Sequence, residues 1–332
     1  MSLPANCLVA DIGGTNARFA LADASASPLA LYEQRALPSA DFASLQHAAE
    51  TYLAAVAARP TRAAIAVASP VTGDAIRLTN RAWSFSQREL REALGLAQLH
   101  VLNDFGAVAW AVPALSSQQR ETLHGDPAAP LVGPVSVLGP GTGLGAALLV
   151  GDVARGWQVV ETEGGHVTFA PVGDEERLIG RWMDARFGRT SNERLLSGAG
   201  LSQIDAALRA GSESPTLDQL DAPVRDPAHI VAAALEGHDV AARRTLARFC
   251  AVLGSVAGDA ALIHGARTVV IAGGIVPRFV PFLRTSAFRE RFLAKGRFAA
   301  LLENVPVHVI THPAPGLLGA AVALRHAPGS SP

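Results

Sequence analysis

The chain has 332 residues, enough for one large domain or two ordinary ones, and 49% of them are hydrophobic, enough for a sizeable core. Its formal net charge is −1 and its pI is near 6.8, which argues against a nucleic-acid or anionic-membrane surface and fits a small neutral or Mg²⁺-masked ligand better. The two cysteines, Cys7 and Cys250, stand far apart in apolar surroundings and read as reduced core residues of a cytoplasmic protein.

The first element is "CLVADIGGTNARFALAD". Residues 7–10 read as a short apolar strand and 19–21 as a second, with the Gly13-Gly14 pair permitting a tight reversal between them. Two readings compete for this turn. One is a plain hairpin. The other is a phosphate loop, with bare backbone N–H groups facing an anion and Asp11 holding a cation. No basic n-region precedes the strand, so no signal peptide is expected.

"RAAIAVASPV" (62–71) reads as a strand ending at a turn, and "SQREL" (86–90) opens a helix with Ser86 and Glu89 spaced as a capping box. "LHVLNDFGAVAWAV" (99–112) is a strand followed directly by an apolar helix. This alternation predicts an α/β layer architecture. The uncharged run 127–151 is long enough to raise a membrane question, but its four prolines and six glycines argue against a spanning helix.

Within that run, "VSVLGPGTGLGAALLVG" (135–151) repeats the strand and glycine-turn pattern. Aligning Gly14-Thr15 with Gly141-Thr142 places "GTNARFAL" over "GTGLGAAL", a faint repeat that points to two related cores. "ETEGGHVTFAP" follows, then helices around 174–187 and 191–210. Asp226 caps a further helix with Pro227 at its first position. A long helix covers 239–265, "TVVIAGGIVPRF" is a strand ending in Gly273-Gly274, and "PAPGLLGAAVALRHA" (313–327) is a closing helix.

Three glycine turns after three strands, two of them carrying a threonine (Thr15, Thr142), suit phosphate groups, and the third can approach a nucleoside. The single lysine, Lys295 in "LAKGRF", excludes both a Walker A loop and the strand lysine of a protein kinase. A nucleoside triphosphate would therefore be held by glycine backbones and Mg²⁺. Asp104 follows the strand "HVLN" at a helix start, where the dipole favours a charged carboxylate that can take a proton from a substrate hydroxyl. A plain N-cap is the other reading of that residue.

"ETEGGHV" brings Glu163 and His166 around a glycine pair, which fits neighbouring sugar hydroxyls or a structural turn better than a metal, since no third ligand lies at metal spacing. Glu193, in "SNERLLSGAGL", sits in a first helical turn, and Asn80, in "LTNRAW", can serve a sugar or a turn.

The segments "ADIGGTNARFAL", "LTNRAWSFS", "LNDFGAVAWAV", "GPGTGLGAALLV", "EGGHVTFAP", "ERLLSGAGL", "IAGGIVPRF" and "PGLLGAAVAL" together resemble the bacterial glucokinase family, of the sugar-kinase, actin and heat-shock ATPase superfamily. They run in family order over nearly the whole chain. The resemblance implies a two-domain sugar-kinase/actin-like (ribonuclease H-like) α/β fold with an active-site cleft between domains. A small domain would span 1–114 plus about 313–332, and a large one 115–312.

It also implies ATP-dependent phosphorylation of the glucose 6-hydroxyl, with Asp104 as base and Asn103, Asp104, Glu163, His166 and Glu193 as sugar ligands. Asn80 joins that sugar set. Ala10, Asp11, Ile12, Gly13, Gly14 and Thr15 match the first phosphate motif, Gly141, Thr142 and Gly143 the second, and Gly273 and Gly274 the nucleoside end. Mg²⁺ would be anchored by Asp11 through water. The expected state is a cytoplasmic homodimer with no nucleic-acid or membrane partner. The related repressor-and-kinase group carries a cysteine-rich zinc motif after its E-x-G-H. This chain has no cysteine between Cys7 and Cys250, so structural zinc is not expected. A kinase for another hexose or hexosamine, or a sugar- and nucleotide-binding regulator without turnover, are the alternatives.

Overall fold

The computed structural model describes residues 7–78 and 83–326, so Asn80 lies outside the described residues. These residues divide into two compact units. One comprises 7–117, 158–161 and 312–326, and the other 118–157 and 162–311.

In the first unit, strands β1 (Cys7–Ile12), β2 (Asn16–Ala22), β3 (Leu31–Pro38), β4 (Arg62–Val67) and β7 (Gln98–Asn103) form one sheet in the order β3-β2-β1-β4-β7. The short strands β5 (Ala75–Arg77) and β6 (Ser84–Ser86) pair with each other. β1 runs antiparallel to β2 and parallel to β4, and β4 runs parallel to β7.

The central strands β1 and β4 are apolar but for Asp11 and Arg62, because both faces of the sheet are covered. Side chains alternate along a strand. Leu8, Ala10 and Ile12 therefore pack with Leu45 and Tyr52 of α1 (Leu45–Ala55). Cys7 and Val9 turn to the other face, against Leu317 and Ala320 of the C-terminal helix Pro315–His326. Helices α2 (Gln87–Ala93) and α3 (Asp104–Ala111) complete the unit. Ser86 caps α2 by accepting the Glu89 N–H.

The second unit is built on β8 (Arg120–His124), β9 (Val135–Pro140), β10 (Leu144–Asp152), β11 (Gly156–Thr162), β12 (Thr268–Ile271) and β13 (Val307–Ile310), in the order β11-β10-β9-β12-β13-β8. Residues 158–161 of β11 group with the first unit. Here β9 is antiparallel to β10 and parallel to β12, which is parallel to β13. The first five positions of this sheet repeat the β3-β2-β1-β4-β7 pattern, so the faint sequence repeat is a repeat of topology.

Its helices are α4 (Gly173–Phe187), α5 (Asn192–Leu195), α6 (Gly198–Ala210), α7 (Leu217–Asp221), α8 (Pro227–Glu236), α9 (Val240–His264), α10 (Val280–Thr285), α11 (Phe288–Leu293) and α12 (Ala299–Leu302). α9 has the length and apolarity of a membrane span, but Leu246, Phe249, Leu253 and Ala257 place it in the core of this unit.

Candidate active site

In each unit the glycine turns stand at the C-terminal ends of parallel strands, the edge at which open α/β sheets bind ligands. In the first unit, Ile12 of β1 is level with Val67 of β4, and Val67 with Asn103 of β7. The Gly13-Gly14 turn and the Asn103-Asp104 pair therefore lie along one sheet edge. Gly13 N–H donates to the Asn16 carbonyl at 3.0 Å, closing the turn, while Gly14 and Thr15 are exposed. Ala10 and Ile12 are buried in the core, so their side chains shape this motif from beneath.

Asp11 lies on the face of β1 that meets the C-terminal helix. A Cβ on Gly316 would come within 2.9 Å of its carboxylate, so any larger residue there would displace Asp11. Burial pushes the Asp11 carboxyl above its ordinary range, and Arg18, with Nη1 3.5 Å from Oδ2, offsets that only in part. A dication beside Asp11 would remove the penalty.

Asp104 is the first residue of α3, and the N-cap is its neighbour. Asn103 Oδ1 accepts from Phe105 N–H at 2.9 Å and Gly106 N–H at 3.1 Å. Of the two readings of Asp104 offered by the sequence, the plain cap belongs to Asn103. Asp104 sits half-buried at the positive end of the helix, and its Oδ1 accepts from Phe105 N–H at 2.8 Å. Because capping occupies Asn103 Oδ1, its amide N–H groups are what it can offer a sugar, and Nδ2 reaches the Ser69 carbonyl at 3.4 Å.

Sequence reasoning missed Glu161, whose Oε1 accepts the Asn103 N–H at 3.0 Å. A Cβ on Gly106 would stand 2.6 Å from that same oxygen, which explains a glycine inside α3. The spacing of Glu161 two residues before Glu163 in "ETEGGH" was the available signal.

In the second unit, β9 and β12 are neighbouring parallel strands, so the turns that follow them meet. A Cβ on Gly273, whose φ is +88°, would overlap the Pro140 carbonyl. Gly141 N–H donates to Gly143 O at 2.8 Å, Thr142 is exposed at the apex, and the first N–H of α6, from Gly198, donates to Gly141 O at 2.9 Å. Gly274 lies beside Gly273 with open space where a side chain would be.

The acidic residues join this cluster. Glu193 Oε2 accepts the Leu144 N–H at 2.9 Å, and its Oε1 lies 3.8 Å from His166 Nδ1. His166 Nε2 lies 3.9 Å from Glu163 Oε2. Both Glu163 and His166 are mostly exposed, at 70% and 55%, and so free to take a ligand. Gly165 packs against the Leu144 main chain too closely for any Cβ. Arg189, also missed, donates to the His166 carbonyl at 3.0 Å and Thr168 Oγ1 at 3.3 Å, fixing the turn from behind.

A family model described as Glucokinase matches residues 8–327. The glucokinase of Chromobacterium violaceum is 45% identical over 329 residues, covering 98% of this chain and 91% of its own. The chain belongs to the glucokinase family. The glucokinase of Cupriavidus metallidurans is 45% identical over 320 residues, 96% of this chain and 92% of its own. The solved glucokinase of an Antarctic psychrotroph superposes with a TM-score of 0.83 at 38% identity, over 97% of this chain and 99% of that one. The fold is therefore the two-domain, actin-like fold of sugar kinases.

The surroundings of Asp11 would fit the Mg²⁺ that the family resemblance implies. Mg²⁺ is ordinarily held by one or two carboxylates, with phosphates and water filling the remaining positions. A single half-buried carboxylate beside an exposed glycine turn offers that. Among the described residues no group of three or more His, Cys, Asp or Glu could hold a metal alone.

Proposed function

We infer that the chain transfers the γ-phosphoryl group of ATP to the 6-hydroxyl of glucose, releasing glucose 6-phosphate and ADP. Asp104 orients that hydroxyl and takes its proton as the oxygen attacks phosphorus in line. Glu163, His166 and Glu193 bind ring hydroxyls, joined by the amides of Asn103 and Asn80. The turns at Gly13-Gly14-Thr15 and Gly141-Thr142-Gly143 cradle phosphates through backbone N–H and hydroxyl groups, and Gly273 and Gly274 lie by the nucleoside. Asp11 would hold Mg²⁺, which when bound would supply charge neutralisation at the phosphates. The working state is a cytoplasmic homodimer; the family resemblance supports the assembly, and the two buried cysteines, neither of them in a disulfide, support the compartment.

The observation that carries this reading is the placement of Asp104 at a helix N-terminus, on the same sheet edge as the first glycine turn. Its test is Asp104→Asn, which keeps shape and hydrogen bonding but cannot accept the proton. A general base contributes ~10²–10⁴-fold, so kcat should fall by at least about 100-fold while glucose affinity, read by calorimetry, is largely kept. Near-normal turnover would remove Asp104 from the mechanism.

A further inference from the structure

A cavity of about 490 Å³ opens in the second unit beside α4, and none of its residues is among the proposed ATP or glucose ligands. Arg177 and Arg181, one helical turn apart on α4, line it together with Arg189, Thr168, Thr190 and Phe169. The lining carries three guanidinium groups against one carboxylate, Asp184, and that carboxylate already accepts the Thr190 hydroxyl at 2.7 Å.

Arg177 pairs with Asp174 and Arg181 with Glu213, but both partners are exposed, at 97% and 77%. Such pairs contribute little in water, so they leave the arginines available to a better anion. Each guanidinium has five N–H donors in a planar fork matched to tetrahedral oxyanions. The volume lies in the range of small-molecule sites, and a lining that combines Phe169 with the Thr168 and Thr190 hydroxyls suits a short polyol.

We propose that this cavity binds a phosphate monoester of a small polyol and that its occupancy weakens glucose binding through Arg189. The second part rests on the reading of His166 as a glucose ligand. A phosphate drawing on the Arg189 guanidinium competes with the 3.0 Å bond to the His166 carbonyl and loosens the turn that carries Glu163 and His166. By linkage, glucose must weaken the phosphate ligand by the same factor.

The test is calorimetry on the full chain without nucleotide, titrating glycerol 3-phosphate and, separately, inorganic phosphate. The double variant Arg177→Gln/Arg181→Gln is the comparison, and circular dichroism confirms that it is folded. The proposal expects glycerol 3-phosphate to bind more tightly than inorganic phosphate and to lose at least about tenfold in affinity in the variant. Saturating glycerol 3-phosphate should raise the glucose Kd about fivefold in the wild type and not in the variant. Equal binding to both proteins, no binding up to about 10 mM, or equal affinity for the two anions would overturn the site. A glucose Kd that ignores the phosphate ligand would overturn the coupling alone. If glucose itself fails to bind, the glucose reading and its coupling fall, while the phosphate titration still decides the site.

Discussion

The Glu193 carboxylate ties the second glycine turn to His166, and Gly143→Ala disturbs both ends of that tie at once. The new methyl would overlap Glu193 Oε2 and stand 3.1 Å from its Cδ. The φ of Gly143 lies outside the left-handed region, so alanine strains nothing else there. The carboxylate must retreat, breaking its 2.9 Å bond from Leu144 N–H and moving the oxygen that faces His166. A hydrogen bond to a charged group is worth about 1.5–3 kcal/mol net. If that stabilisation is lost from the sugar-bound state, kcat/KM for glucose falls by roughly 10- to 150-fold.

Stability changes less, because alanine also restricts the unfolded chain by about 0.4–1 kcal/mol. The assay is steady-state kinetics varying glucose and ATP in turn, with a thermal melt as control. The KM for both substrates should rise. Combining Gly143→Ala with Glu193→Gln should be no worse than the more damaging single change, since both act on one contact. A rise confined to the ATP KM, or effects that simply add, would refute the interlock.

Three further outcomes follow from the same contacts. Gly106→Ala forces Glu161 off the Asn103 N–H; the helix gains about 1 kcal/mol in propensity, so the melting temperature should stay close to wild type, but kcat should drop about tenfold or more as Asp104 loses its support. An unchanged kcat would dismiss Glu161 as a positioning residue. Gly319→Ala drives a methyl into the Ala107 carbonyl, 2.6 Å from its carbon and 2.9 Å from Ala111 N, so it should cost about 3 kcal/mol of stability in urea unfolding, and a silent substitution would contradict the close helix crossing.

His308 is buried, and burial first, then the charge of Arg120, lowers its pKa from 6.5 to about 4. The unfolded chain takes up this proton near pH 6.5 and the folded one only near 4. Its contribution is therefore whole above pH 6.5 and is lost as pH falls towards 4, by about 3 kcal/mol in all. His308→Gln should flatten that part of the pH–stability curve, and an identical slope in both proteins would refute it.

Much of this architecture is legible in the chain because the deciding signals are local. The apolar runs that become β1, β4 and β7 are bounded by turns, and Asp226 with Pro227 starts α8 as its chemistry dictates, with Asp226 Oδ1 accepting the His229 N–H. The strands that escaped are β3, β5, β6, β8, β11 and β13. "LYEQRALP" and "RETLH" carry no apolar alternation: β3 is an edge strand exposed over much of its length, and β8 pairs with β13, far along the chain.

The single helix expected over 191–210 is two, α5 and α6. Ser197 starts the second by capping Gly200 N–H, and the close approach of Gly200 to the Leu195 and Arg194 carbonyls leaves no room for a side chain. Candidate residues announced themselves at strand ends, beside glycine pairs. The contacts that hold them did not. Glu193 reaches Leu144 and Glu161 reaches Asn103 across 49 and 58 residues, and no local pattern encodes such distances.

The most direct test of the whole account is ADP release from Mg-ATP by the purified full chain, with no sugar and with a panel of glucose, mannose, fructose and N-acetylated hexosamines. The account predicts release that depends on glucose and exceeds that with every other sugar. Release with another hexose alone would contradict the substrate assignment. No release with any sugar, from folded protein that still binds glucose, would contradict the kinase reading itself.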